Sequence, residues 1–192
     1  MGVVFMPYPF DSDTCAVLDL PEPVVGKVMA IRQKHGDAFP RALPAHITVA
    51  GSGGVGCFMP DEDPERVWAA LGEIAGKTAP IETAFGEVIR FPGTDIFVIR
   101  PDPDEALRAL HAQIAASPIR FKPNPFPYTP HCTLRRRSPV TQAEAASVLA
   151  ERIPDRFTLG QLSVYRLDDG PSSEVPVLCQ LIRRWNLGTP GE

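Results

Sequence analysis

Two short stretches decide how this chain folds: LPAHITVAG at residues 43–51 and TPHCTLRR at residues 129–136. Each places a proline shortly before a His-x-Thr-aliphatic tetrapeptide, and each is typical of a short β-strand. Because alternate side chains of a strand point to opposite faces, the His and Thr share one face and the intervening residues share the other. We therefore expect each strand to bury its apolar face and to present a polar pair on the opposite one.

Around these two stretches, the same order of predicted elements occurs twice. The first half has a strand, a helix, the first stretch, a helix and a strand, at residues 15–21, 21–36, 43–51, 63–77 and 81–91. The second half repeats this order and adds a last strand, at residues 95–101, 102–117, 129–136, 141–152, 157–167 and 175–187. Helical spacing of apolar residues and bounding prolines and glycines support the helices.

This repeat predicts one α+β domain over residues 1–192, with two lobes at about residues 14–92 and 93–188 that allow strand exchange. Duplicated lobes usually pack about a pseudo-two-fold axis, so two antiparallel sheets would face a central cleft with the helices outside. His46 and His131 would then converge in the cleft.

Composition restricts the class of protein. The chain is 44% hydrophobic and 22% charged, which is typical of a globular domain, and its formal net charge of −4 lacks the basic excess that long nucleic acids usually require. It has no apolar run of ~20 residues and no secretory leader pattern, so we expect a soluble cytoplasmic protein with no membrane association. Four dispersed cysteines without a Cys-x-x-Cys pair favour reduced, structural thiols.

The paired motifs His46-Ile47-Thr48-Val49 and His131-Cys132-Thr133-Leu134 resemble the two-histidine (2H) phosphoesterase superfamily. That superfamily includes bacterial 2'-5' RNA ligase-like proteins and 2',3'-cyclic nucleotide phosphodiesterases, and the resemblance covers nearly the whole chain. Cys132 stands where many relatives carry an aliphatic residue, a place that a buried thiol fills easily. The resemblance implies metal-independent catalysis without a cofactor.

Two imidazoles suit the opening of a cyclic phosphate, because an ordinary pKa near 6.5 lets one ring be neutral and the other protonated at neutral pH. One of His46 and His131 would activate water and the other would protonate the leaving oxygen, and the sequence leaves their order open. Thr48 and Thr133 are the candidate phosphate-binding residues, since their hydroxyls can donate to the phosphoryl oxygens.

The expected function is hydrolysis of a 2',3'-cyclic or 2'-5' phosphodiester, with a small ribonucleotide cyclic phosphate or a short RNA end as ligand and no obligate protein partner. One alternative is RNA 2'-5' ligation or tRNA-half processing, which a broad basic face would favour. Another is a non-catalytic nucleotide-binding module of the same fold, although a degenerate copy would be expected to lose at least one motif residue. A third is a structural protein with coincidental His-x-Thr strands.

Three further residues are candidates for substrate binding. Arg135 continues the alternation from His131 and Thr133, so it is expected on the cleft face, although a surface arginine is an equally good interpretation. Phe126 and Tyr128 lie in the loop before the second motif and are expected either to stack on a base or to pack beneath that loop.

The remaining polar features have simpler interpretations. The glycine-rich segment GSGGVG at residues 51–56 fits a flexible turn, with phosphate binding by its backbone N–H groups as the alternative. His35 and His111 fall within predicted helices and are expected to be structural or exposed. The basic run at residues 135–137 suits either one phosphate group or solvent.

Overall fold

Two four-stranded antiparallel sheets organise the chain in a computed structural model that describes residues 9–136 and 139–189. The strands in this described part are β1 (Asp13–Asp19), β2 (His46–Ala50), β3 (Ile81–Arg90), β4 (Phe97–Asp102), β5 (Cys132–Arg135), β6 (Arg156–Leu159), β7 (Gln161–Asp169) and β8 (Val177–Asn186). The helices there are α1 (Val24–Lys34), α2 (Ala38–Arg41), α3 (Pro64–Lys77), α4 (Glu105–Ala115) and α5 (Gln142–Leu149).

The strand orders of the two sheets show the internal symmetry. The first sheet has the order β2-β1-β7-β8 and the second has the order β5-β4-β3-β6. The two motif strands, β2 and β5, therefore take the same edge position in their sheets, beside β1 and β4 respectively. The predicted α+β class with two antiparallel sheets is confirmed.

Strands pass between the halves of the chain. β3 belongs to the first half of the chain but pairs with β4 of the second half. Conversely, β7 belongs to the second half but pairs with β1 of the first half. The lobes predicted at about residues 14–92 and 93–188 allowed such an exchange. The strand predicted at residues 157–167 is in fact two strands separated at Gly160, with β6 in the second sheet and β7 in the first.

Local sequence explains where the longer helices begin. Asp63 caps α3 by accepting a hydrogen bond from the backbone N–H of Glu65 at 3.0 Å, and Pro64 occupies the first turn, where its missing N–H costs nothing. Thr141 and Glu144 form a reciprocal capping box at the start of α5. Short helix α2 was not predicted, because four residues are too few to show an apolar period.

The apolar faces of the motif strands lie in the core. Ile47, Val49, Cys132 and Leu134 are fully buried, as the alternation predicted. Among the helices of the described residues, none is long and apolar enough to cross a bilayer.

Candidate active site

The two motif strands, β2 and β5, have the same pattern of burial. Thr48 and Thr133 are partly accessible, and a fully buried residue lies on either side of each in its strand. His46 is the first residue of β2 and His131 directly precedes β5, so both imidazoles lie where a strand begins. The four predicted polar residues thus come from equivalent places in the two sheets.

Both imidazoles are held by a backbone carbonyl two residues earlier in the chain. The Nδ1 of His46 lies 2.7 Å from the Pro44 carbonyl oxygen, and the Nδ1 of His131 lies 2.6 Å from the Thr129 carbonyl oxygen. Because a carbonyl oxygen can only accept, Nδ1 must carry the hydrogen. In each neutral ring Nε2 is then the unprotonated nitrogen, which can accept a proton from a ligand.

The surroundings of the two rings favour their neutral forms. Burial, followed by the positive charge of Arg32, lowers the pKa of His46 from 6.5 to about 4, although the Pro44 carbonyl and Asp19 oppose this shift. Burial also lowers the pKa of His131, with Arg136 contributing to the shift. In the absence of a ligand, both rings are therefore expected to be neutral at neutral pH.

Both histidines line the smaller of two cavities in the cleft, and His131 also lines the larger one. The larger cavity has a volume of about 480 Å³ and the smaller one about 190 Å³. His46 lines only the smaller cavity, whereas the residues that line both are Thr48, Ser52, His131, Thr133 and Arg136. A group bound where the two cavities meet would therefore lie beside both threonines.

A β-bulge decides which arginine faces the cleft. Val98 pairs with Thr133, but its neighbour Phe97 pairs with Arg135, so Leu134, the last residue of the motif, is an extra residue in β5. Simple alternation fails there, and Arg135 is buried and donates to the carbonyl oxygens of His35 and Pro139 at 2.7 and 3.0 Å.

Arg136 lines both cavities instead, at the position that follows the bulge. The sequence indicates Arg136 only as part of the basic run at residues 135–137, because strand alternation without the bulge assigns the cleft face to Arg135. Arg137, the last of the basic run, lies outside the described residues.

The loop before the second motif places its two aromatic residues differently. The ring of Tyr128 stacks on His111 with a centroid separation of 3.8 Å and an interplanar angle of 7°, and its hydroxyl donates to the Thr48 carbonyl oxygen at 3.2 Å. His111 also holds the Val49 carbonyl oxygen at 2.7 Å through Nδ1. Tyr128 thus supports the first motif strand as well as lining the larger cavity.

Phe126 also lines the larger cavity and is 66% exposed. A residue that the sequence did not single out, Phe91, lines the same cavity and contacts His131 edge to face, with ring centroids 5.1 Å apart. Phe91 follows β3, far in sequence from both motifs, and only the pairing of β3 with β4 brings it here.

Close packing explains two glycines of the segment at residues 51–56. Gly54 has a φ of +71°, and a Cβ added to it would lie 2.2 Å from Cε1 of His111. Gly56 has a φ of +97°, and its added Cβ would lie 2.0 Å from the Lys122 carbonyl oxygen. These positions need glycine so that the segment can lie against His111 of α4 and against the loop that precedes the second motif.

Neither metal-ligand clusters nor disulfides are found in the described part of the chain. Within residues 9–136 and 139–189, no group of three or more His, Cys, Asp and Glu side chains could hold a metal ion. Cys15, Cys57, Cys132 and Cys179 are all free thiols.

Residues 20–171 match the family model of the 2'-5' RNA ligase superfamily. The chain therefore belongs to this family of two-histidine phosphoesterases. The relative named "Putative phosphoesterase GK0864" from Geobacillus kaustophilus is 29% identical over 147 residues, which are 72% of this chain and 79% of that protein.

Solved structures share the fold. TT0787 of Thermus thermophilus superposes with a TM-score of 0.63 at 17% identity, covering 93% of this chain and 100% of its own. E. coli LigT, crystallised with 3'-AMP, superposes with a TM-score of 0.61 at 19% identity, covering 92% of this chain and 98% of its own.

We expect acidification to destabilise the folded protein through His46. The unfolded chain binds a proton with a pKa near 6.5, whereas the folded chain does so only near pH 4. Between these values the unfolded state holds more protons, so the free energy of unfolding falls as the pH is lowered, by up to about 3 kcal/mol. Urea unfolding at a series of pH values measures this change. His46→Gln should lose much of the pH dependence, and an unchanged slope would contradict the shift.

Proposed function

We propose that this protein hydrolyses a 2',3'-cyclic or 2'-5' phosphodiester in a small ribonucleotide or at an RNA end, without a metal ion. The observation that carries the proposal is the pair of imidazoles that line the smaller cavity together, each anchored through Nδ1 to a carbonyl. Thr48, Thr133 and Arg136 line both this cavity and the larger one. This set supplies two proton-transfer groups and three donors for the phosphoryl oxygens.

The reaction needs one proton removed and one delivered. The neutral ring takes a proton from water through Nε2 as the water oxygen bonds to phosphorus. The protonated ring gives its proton to the departing ribose oxygen as the P–O bond breaks. A bound phosphate anion favours the imidazolium form, so substrate itself raises the pKa of a neighbouring ring from its lowered value. Either histidine serves as base, according to the orientation of the substrate.

The larger cavity suits a nucleoside. Its volume of about 480 Å³ lies within the range of ~300–1,000 Å³ usual for small-molecule sites. Phe91 and Phe126 line it and offer apolar surface to a flat base, while the phosphate end of the ligand reaches Thr133 and His131. The crystallisation of LigT, a fold relative, with 3'-AMP supports a nucleoside monophosphate as ligand.

Phe126→Ala is expected to raise KM about tenfold for a cyclic nucleotide and to change kcat little. Base stacking on an aromatic ring contributes about 1–3 kcal/mol, and the reacting groups stay in place. Steady-state kinetics measure both constants. Because Phe126 is 66% exposed, its removal should not destabilise the fold. Leu181→Ala, at an exposed residue lining neither cavity, is the matched control, and an equal KM in the two variants would contradict base stacking on Phe126.

The decisive test is release of 2'- or 3'-monophosphate from each of the four nucleoside 2',3'-cyclic phosphates in EDTA, with 2'-5' and 3'-5' dinucleotides in parallel. Turnover of the cyclic phosphates or the 2'-5' linkage is expected to survive EDTA. Activity restored only by added metal would contradict metal independence. Folded protein that binds nucleotides without turnover would favour a non-catalytic module, and product joining would favour ligation.

A further inference from the structure

Arg32 is a buried cation in the wall of the smaller cavity. It lies on α1, is 1% exposed and lines the smaller cavity together with His46. Its Nε and Nη2 both donate to the carbonyl oxygen of Thr133, at 3.0 and 2.8 Å. Because Thr133 lies in β5 of the second sheet, the Arg32 side chain connects α1 to the second motif strand.

The remaining donors of Arg32 also go to neutral acceptors. Nη1 donates to the carbonyl oxygens of Pro40 and Leu43, at 2.8 and 2.9 Å. Neutral carbonyl dipoles satisfy these N–H groups without cancelling the positive charge, and the nearby buried carboxylate of Asp37 stabilises the charged form of Arg32. Arginine keeps that charge even when buried. The guanidinium therefore acts as a fixed positive charge in the wall of the smaller cavity.

This charge acts unequally on the two histidines. Arg32 contributes to the lowered pKa of His46, whereas the charge that contributes at His131 is Arg136. The ionisable groups around His46 come from several elements. They are Asp19 on β1, Arg32 on α1, His131 and Cys132 at β5, and, in the walls of the smaller cavity, Asp13, Cys15, Cys57, Arg136, Asp168 and Asp169.

We propose that Arg32 is a positioning residue that makes the two pseudo-equivalent histidines unequal, by fixing the Thr133 strand and by holding a positive charge beside His46. This inference rests on the proposed phosphoesterase function. It implies that His46 gains a proton less readily than His131 in the free protein. Arg32 does not need to contact the substrate for either effect.

The charge effect can be measured without substrate. NMR titration of the two rings, assigned with His46→Ala and His131→Ala, should show His46 titrating at lower pH than His131 in the native protein. In Arg32→Met the midpoint of His46 should rise by about one pH unit, because a like charge has been removed. In Arg32→Lys, which keeps the charge, the midpoint should stay low.

Arg135→Met is the matched control for the loss of a buried arginine. Arg135 also donates to backbone carbonyls but lines neither cavity, so its removal should leave the His46 midpoint unchanged. A native His46 midpoint at or above that of His131 would overturn the proposal, even if every Arg32 variant failed to fold. An unchanged His46 midpoint in folded Arg32→Met would also overturn it.

The positioning effect is measured by kinetics. Arg32→Lys keeps the charge but cannot donate from two nitrogens of one planar group to the Thr133 carbonyl, so kcat should fall about tenfold at an unchanged His46 midpoint. An unchanged kcat in Arg32→Lys would overturn this part. If the native protein turns over no phosphodiester, the proposed function fails, whereas the titrations still decide whether Arg32 makes the histidines unequal.

Discussion

His46→Ala and His131→Ala are each expected to lower kcat/KM for the preferred phosphodiester by at least ~10²-fold. Each variant removes one of the two proton-transfer groups in the smaller cavity, while the threonine hydroxyls and Arg136 remain. Residual activity should then reflect binding and charge stabilisation alone. Steady-state assays in EDTA over a range of pH measure the loss. The double variant should lose little more than either single variant, since the two rings act as one unit.

His35→Gln is the matched control for this experiment. Its Nε2 lies 2.8 Å from an oxygen of the Glu151 carboxylate, and the side chain lines neither cavity. Activity of His35→Gln should stay within about twofold of the native value. If His46→Ala or His131→Ala retained near-native kcat/KM, paired imidazole catalysis would be refuted.

Thr48→Val and Thr133→Val are each expected to lower kcat by about 10- to 10²-fold, with a smaller change in KM. Valine keeps the shape of threonine and removes only the hydroxyl, so the charge that develops on the phosphoryl oxygens loses one donor. The effect should be larger on kcat than on KM, because the donor matters most in the transition state. Single-turnover measurements separate the chemical step from product release.

Serine variants test the interpretation directly. Thr48→Ser and Thr133→Ser restore the hydroxyl without the methyl group and should recover most of the activity. Thr158→Val, at an exposed threonine of β6, is the control for replacing a strand threonine and should change nothing. Serine variants as slow as the valine variants would show that the methyl group, and therefore packing, is what matters at these positions.

The pairing of the motif residues could be predicted from the sequence because it follows from local rules. Alternation in a strand puts Ile47 and Cys132 on the buried face and Thr48 and Thr133 on the other, and the structure confirms this burial. The repeated order of strands and helices indicated two sheets of the α+β class, which the observed strand orders confirm. Caps such as Asp63 and Thr141 also act within a few residues of their own position.

The sequence by itself thus determined the fold class and the candidate residues His46, Thr48, His131 and Thr133. Periodicity and motif spacing are properties of the amino-acid order alone, so they can be recognised without the structure. The tertiary structure alone decided that Arg136, rather than Arg135, lines the cleft, because a bulge depends on pairing with β4. It also decided that Arg32 and Phe91 reach the site, through contacts between distant segments. Local pattern cannot encode such contacts, because they depend on which surfaces meet when the two sheets pack.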